Sequence, residues 1–169
     1  DYGSFPPATD TVLSMTSSPA SIAAKHLKRL FPRVADTDVN AQLVGGFPAN
    51  ANPKTLNTTN ALTYWFMGYS GNPTSPLLPV SSRNKMFEFD QTRVDQVTGA
   101  YYPADKPGSN YIYIPHTQYV GSIAEVNPVT GTWFNENTFQ ILCAGQDETL
   151  ATTSDDDLSN FWKGMRGDQ

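Results

Sequence analysis

Asp155, Asp156 and Asp157 stand side by side in DETLATTSDDDLSNFW (147–162), with Asp147 and Glu148 just upstream and no basic residue before Lys163. Only 16% of the 169 residues are charged, so carboxylates crowded in this way repel one another and need a reason to be together. Three chemistries use them. Ser154 or Asp155 can cap a short helix whose first turn favours acids, which accounts for one or two carboxylates but not for three together with Asp147. Glycoside hydrolysis needs two acids facing each other across a cleft, and nothing here marks one. A hard cation such as Ca2+ takes six to eight oxygens and mixes carboxylates with loop carbonyls. The alternating acids and central glycine of an EF-hand are missing. On chemistry alone, the cap and the cation both stand.

The other reactive side chains have plainer readings. Cys143, the only cysteine, lies in the apolar run FQILCAG, where a thiol usually fills space. Alone, it excludes an internal disulfide framework and a cysteine-based zinc site. His26 falls beside an apolar helical stripe and His116 in a proline-containing turn. No nucleophile motif surrounds any of the three, so no catalysis is expected from them. Tyr101, Tyr102, Tyr111, Tyr113 and Tyr119 crowd one stretch and could stack on sugars, as in a carbohydrate-binding module. Strand alternation turns every second tyrosine inward, however, and half-buried tyrosine is ordinary sheet chemistry. Asn57-Thr58-Thr59 fits a glycosylation acceptor, but helix capping explains it locally.

These residues need elements to hold them. SSPASIAAKHLKRLFPR reads as a helix, with Ser18 as cap, Pro19 at its first position and Pro32 as its stop. Ile22, Ala23, Leu27, Leu30 and Phe31 make its apolar stripe, and Lys25, Lys28 and Arg29 lie off it. TTNALTYWFMGY is a second helix, capped by Thr58 or Thr59 and ended by Gly68. Beyond Gly68, proline and glycine punctuate the short runs KMFEFD, GAYY, NYIYIP, TWF and TFQILCA, which read as strands, with a turn at NPVTG (127–131). DDDLSNFW reads as one short helical turn. Helices followed by strands, without alternation, predict a single α+β domain over 1–169: N-terminal helices on a largely antiparallel sheet, then an acidic loop. With a net charge of −5 and a pI near 4.8, the chain lacks the basic patch of a nucleic-acid binder. No apolar run approaches the ~20 residues of a membrane span.

An apolar strand, then AGQD, a polar loop and DDDLSNFW resembles the C-terminal segment of the major pseudopilins of type II secretion systems. There a loop wraps one Ca2+ with aspartate side chains and backbone carbonyls. Carried over by position, the resemblance implies Asp147, Asp155 and Asp157 as side-chain ligands, with Asp156 as a substitute and Ala144 and Leu150 as carbonyl donors. At the other end, Asp1, Gly3, Phe5 and Pro6 in DYGSFPP are similar to the segment through which pseudopilins leave their long N-terminal helix. The resemblance covers about the first seven and the last two dozen residues. It implies the pilin-like head of a non-enzymatic filament subunit in the periplasm. The membrane-anchoring helix would lie before Asp1, and the partners would be other pseudopilin subunits and components of the secretion machine. The alternative is a secreted carbohydrate-binding or glycan-active domain that uses the tyrosine-rich sheet.

Overall fold

Residues 4–10, 21–47, 55–104, 109–120, 124–127, 129–145, 147–150 and 157–161 are described by the computed structural model. The expected mixture of helix and antiparallel sheet is present.

Helix α1 (Ile22–Leu30) starts later than its sequence pattern predicts. Its cap is Ser21, whose side chain accepts from Ala24 N; Ser18 and Pro19 lie outside the described residues. The helix buries Ala23, Ala24, His26 and Leu27, whereas Ile22 is 54% exposed. The stripe is therefore rotated from the expected one, and it takes in the histidine. Helix α2 (Asp36–Gly45) was not expected. It buries Val39 and Leu43, one turn apart, together with Gln42. Helix α3 (Ala61–Phe66) carries Trp65, which is almost wholly buried. Its approach is shaped by Asn57, not by Thr58 or Thr59: Asn57 Oδ1 accepts from the backbone N–H of Thr59 and Asn60. Gly68 ends the segment at φ +83°, a region that favours glycine, and a Cβ there would run into the Asn84 backbone.

Strand β1 (Tyr69–Ser70) pairs antiparallel with β2 (Arg83–Asn84) in a small ribbon. The main sheet has the order β3–β4–β5, from Tyr111–Pro115, Phe139–Cys143 and Leu158–Ser159, antiparallel throughout. NYIYIP and TFQILCA are thus strands as expected. GAYY and TWF make only isolated bridges, Val94↔Tyr101 and Val126↔Trp133. KMFEFD is not a strand, because the N–H groups of Met86 and Phe87 both go to the carbonyl of Phe66. The helical turn expected at DDDLSNFW is also absent, since β5 occupies its centre. Asn160 holds that edge in place. Its Oδ1 accepts from Ile141 N, its Nδ2 donates to Phe139 O, and its own N–H donates to Ile141 O.

Both faces of the main sheet are covered. Tyr111 and Tyr113, with Phe139 and Ile141 across the ladder, turn toward the helical core around Leu27, Leu43 and Trp65. Ile112, Ile114 and Leu142 point the other way, into a smaller cluster with Ala124, Trp133, Leu150 and Phe161. The N-terminal segment threads into the larger core. Pro6 and Pro7 present carbonyls to the Tyr113 hydroxyl and the Trp65 indole, while Ala8 is fully buried. Burying aromatic and aliphatic side chains of this size stabilises by about 1.5–3 kcal/mol each.

Buried Arg83 ties the ribbon to the helices without an acid. It donates to Leu77 O (2.7 Å), Gly46 O (3.1 Å) and Tyr64 O (3.4 Å), so it satisfies carbonyls just beyond α2 and within α3. Burial holds its pKa below the ordinary arginine value.

Candidate functional site

The acidic loop leaves β4 at Cys143 and returns at β5. Cys143 pairs with Leu158 and Leu142 with Ser159, and that register, continued by one residue, sets Asp157 opposite Ala144. Asp157 is only 2% exposed and Ala144 is also buried. A carboxylate taken out of water costs several kcal/mol unless charge or hydrogen bonds compensate it. Leu150 is half-buried against the Ile114–Leu142 cluster and so pins the middle of the loop. Asp147 is exposed at the loop's start, where its Oδ1 accepts from Thr149 N (2.8 Å) in a tight polar turn. Asp155 and Asp156 lie outside the described residues. Two of the six residues singled out, Asp157 and Ala144, thus meet where the loop closes, and Leu150 anchors it from inside. Among the described residues, no three acidic, histidine or cysteine side chains converge on one point. The described part of the loop thus contributes one buried carboxylate, that of Asp157.

The thiol and the histidines form no constellation. Cys143 is buried against Ser109, 3.5 Å from its hydroxyl. His116 follows Pro115 at the far end of β3, five positions from Tyr111, the partner of Cys143, or roughly 16 Å at the rise of a strand. His26 packs edge-on against Trp65 with its Nδ1 near Ser4. Burial, helped by the Arg29 charge, lowers its pKa from 6.5 to about 4.

Two of the five tyrosines are withdrawn from the surface. Tyr113 has no exposed surface and Tyr101 has 8%. Burial pushes the Tyr111 phenol up. An aromatic chain runs from Phe87 through Phe89 and Tyr101 to Tyr111, with ring centroids 4.8, 5.0 and 5.7 Å apart. The Arg93 guanidinium lies 4.6 Å from the centre of the Tyr101 ring, and its Nε is fixed by Tyr102 O. These side chains, with Leu62, Phe66 and Ile141, line a groove of about 390 Å3 on the helix-facing side of the sheet. Phe87 stands at its rim, 52% exposed. Sequence reading missed the groove, because its lining is gathered from positions 62 to 141; the one local signal was the alternation of Phe87 and Phe89. No family model, curated protein or solved structure matches the chain.

Proposed function

We propose that this chain is the periplasmic head of a pseudopilin-like or type IV pilin-like subunit, a structural protein and not an enzyme. In the full-length protein, a preceding helix anchors it in the inner membrane and polymerises it into a filament that serves protein secretion across the envelope. Support comes from an antiparallel sheet with helices on one face, an N-terminal segment seated in the core at Pro6–Ala8, and an acidic C-terminal loop drawn across the other face.

The observation that carries the reading is Asp157, buried opposite Ala144 where the loop closes. In this reading Asp157 holds a Ca2+ together with Asp147 and Asp155, with Asp156 as a substitute and Ala144 and Leu150 as carbonyl donors. The ion supplies the positive charge that lets adjacent carboxylates share one loop.

A ligand bound only by the folded state stabilises it by RT ln(1 + [L]/Kd), about 2.7 kcal/mol at a hundredfold excess over Kd. For a domain of this size that raises the melting temperature by about 5–10 °C. Melting curves in chelator and in millimolar calcium should differ by this much for the wild type and hardly at all for Asp157→Asn. Superimposed wild-type curves sink the calcium site. The filament part is tested in the native cell. The full-length subunit should fractionate with the inner membrane and cross-link into ladders of itself, and its deletion should block secretion. Recovery as a monomer outside the membrane fraction overturns that part.

A further inference from the structure

The hairpin spanning 125–134 lies on the sheet face opposite the aromatic groove. Gln140, which points to that face, pins it: Oε1 accepts from Glu125 N, and Nε2 donates to Glu125 O and Phe134 O. Trp133 packs into the small cluster there, beside Tyr119. At the tip, Val129 is 91% exposed, the most exposed of the large hydrophobic side chains described. Asn127 braces the described residues of the tip. Asn127 Oδ1 accepts from Val129 N and Thr130 N, Asn127 O accepts from Gly131 N, and Asn127 N donates to Thr132 O. A polar-braced turn therefore presents one branched apolar side chain to solvent, which costs hydration unless something covers it.

We propose that the groove under Phe87 receives the Val129 turn of a second copy of this chain. At about 390 Å3 the groove is at the small end of ligand pockets, fit for the tip of a turn and not for a helix. Charge favours the same pairing. Arg93 is the charged side chain lining the groove, whereas exposed Glu136 shares a shallow recess with Asn127 and Thr132 at the base of the turn. Because knob and groove lie on opposite faces of one sheet, the contact is heterologous. Each copy gives its turn to one neighbour and takes the turn of another, which propagates a line instead of closing a dimer.

The inference rests on the filament reading and gives it a contact between heads. A turn tip buries well under the ~1,200 Å2 of a stable interface, so isolated heads stay monomeric at micromolar concentration. Anchored side by side, they meet at the millimolar effective concentrations that make a weak contact count.

The test uses single-cysteine variants of the head, Val129→Cys and Phe87→Cys, mixed at high concentration and oxidised. Thr117→Cys, also exposed, serves as the control partner for each. Buried Cys143 stays out of the reaction. The expected result is a mixed 129–87 disulfide several-fold above 129–129, 87–87 and either pairing with 117, and lost when Glu136→Lys and Arg93→Ala are introduced. The double variant Val129→Cys/Phe87→Cys should form ladders. A mixed product no more abundant than the control pairings overturns the proposal. So does oligosaccharide binding abolished by Phe87→Ala, which would assign the groove to sugar. Neither result touches the calcium response of the acidic loop, so the two readings fail separately.

Discussion

His26 offers a quantitative check on the packing of α1. It is 4% exposed, set edge-on against Trp65 at 5.2 Å and near the Arg29 charge, and its pKa falls from 6.5 to about 4. The unfolded chain takes up a proton near pH 6.5, but the folded chain resists until about pH 4. Between those values the unfolded state binds more protons, so stability rises with pH and is lost as pH falls. The full gap, at about 1.4 kcal/mol per unit, is worth about 3 kcal/mol. About 2 kcal/mol of it should be gone at pH 5, which is roughly 4–8 °C in melting temperature. The perturbation is His26→Gln, which keeps a polar side chain of similar reach and removes the titration. Urea melts at pH 7, 6, 5.5 and 5 should decline for the wild type and for a His116→Gln control, and stay nearly level for His26→Gln. A level wild-type profile refutes the burial argument; an equal decline in His26→Gln places the titrating group elsewhere.

Two further outcomes follow from buried polar groups. Arg83→Met leaves the Leu77, Gly46 and Tyr64 carbonyls without their donor and should cost about 3 kcal/mol or more in chemical denaturation; a loss below about 1 kcal/mol means that the guanidinium does not hold the ribbon to the helices. Cys143, buried against Ser109, should react with thiol reagents slowly in the native state and at once after denaturation. Cys143→Ala should cost only about 1 kcal/mol, and rapid native labelling contradicts the packing role.

The parts legible in the sequence are those whose causes are local. The cores of α1 and α3 and the strands NYIYIP and TFQILCA announce themselves by period and by flanking breakers. Helix α2 does not. DTDVNAQLVG has only Val39 and Leu43 to bury and no capping side chain, so its helicity comes from packing supplied by the rest of the chain. KMFEFD alternates as a strand does, yet one carbonyl of Phe66 takes two of its N–H groups, and its aromatics line a groove. DDDLSNFW reads as a capped turn because aspartates suit helix starts, but Asn160 bonds to β4 and makes it an edge strand. Arg83 was invisible for another reason: its partners are backbone carbonyls at positions 46, 64 and 77, and carbonyls carry no sequence signature. Of the candidate loop, the order of its residues was readable. That Asp157 is buried opposite Ala144 required the register.

That register also shows how little the ladder alone holds the acidic tail. A two-residue strand contributes few ladder bonds, and closing the loop from 144 to 157 costs about 2 kcal/mol in chain entropy. Against this stand the half-buried Leu150 and Phe161, the latter stacked on Phe134 at 4.5 Å, and the bonds of Asn160. Each of these contributes about 1 kcal/mol, so the balance before electrostatics is small. The tail also packs on the sheet face that carries the Val129 hairpin, through Trp133 and the Ile114–Leu142 cluster. The tail and the hairpin therefore rest on one shared platform, the Ile114–Leu142 cluster.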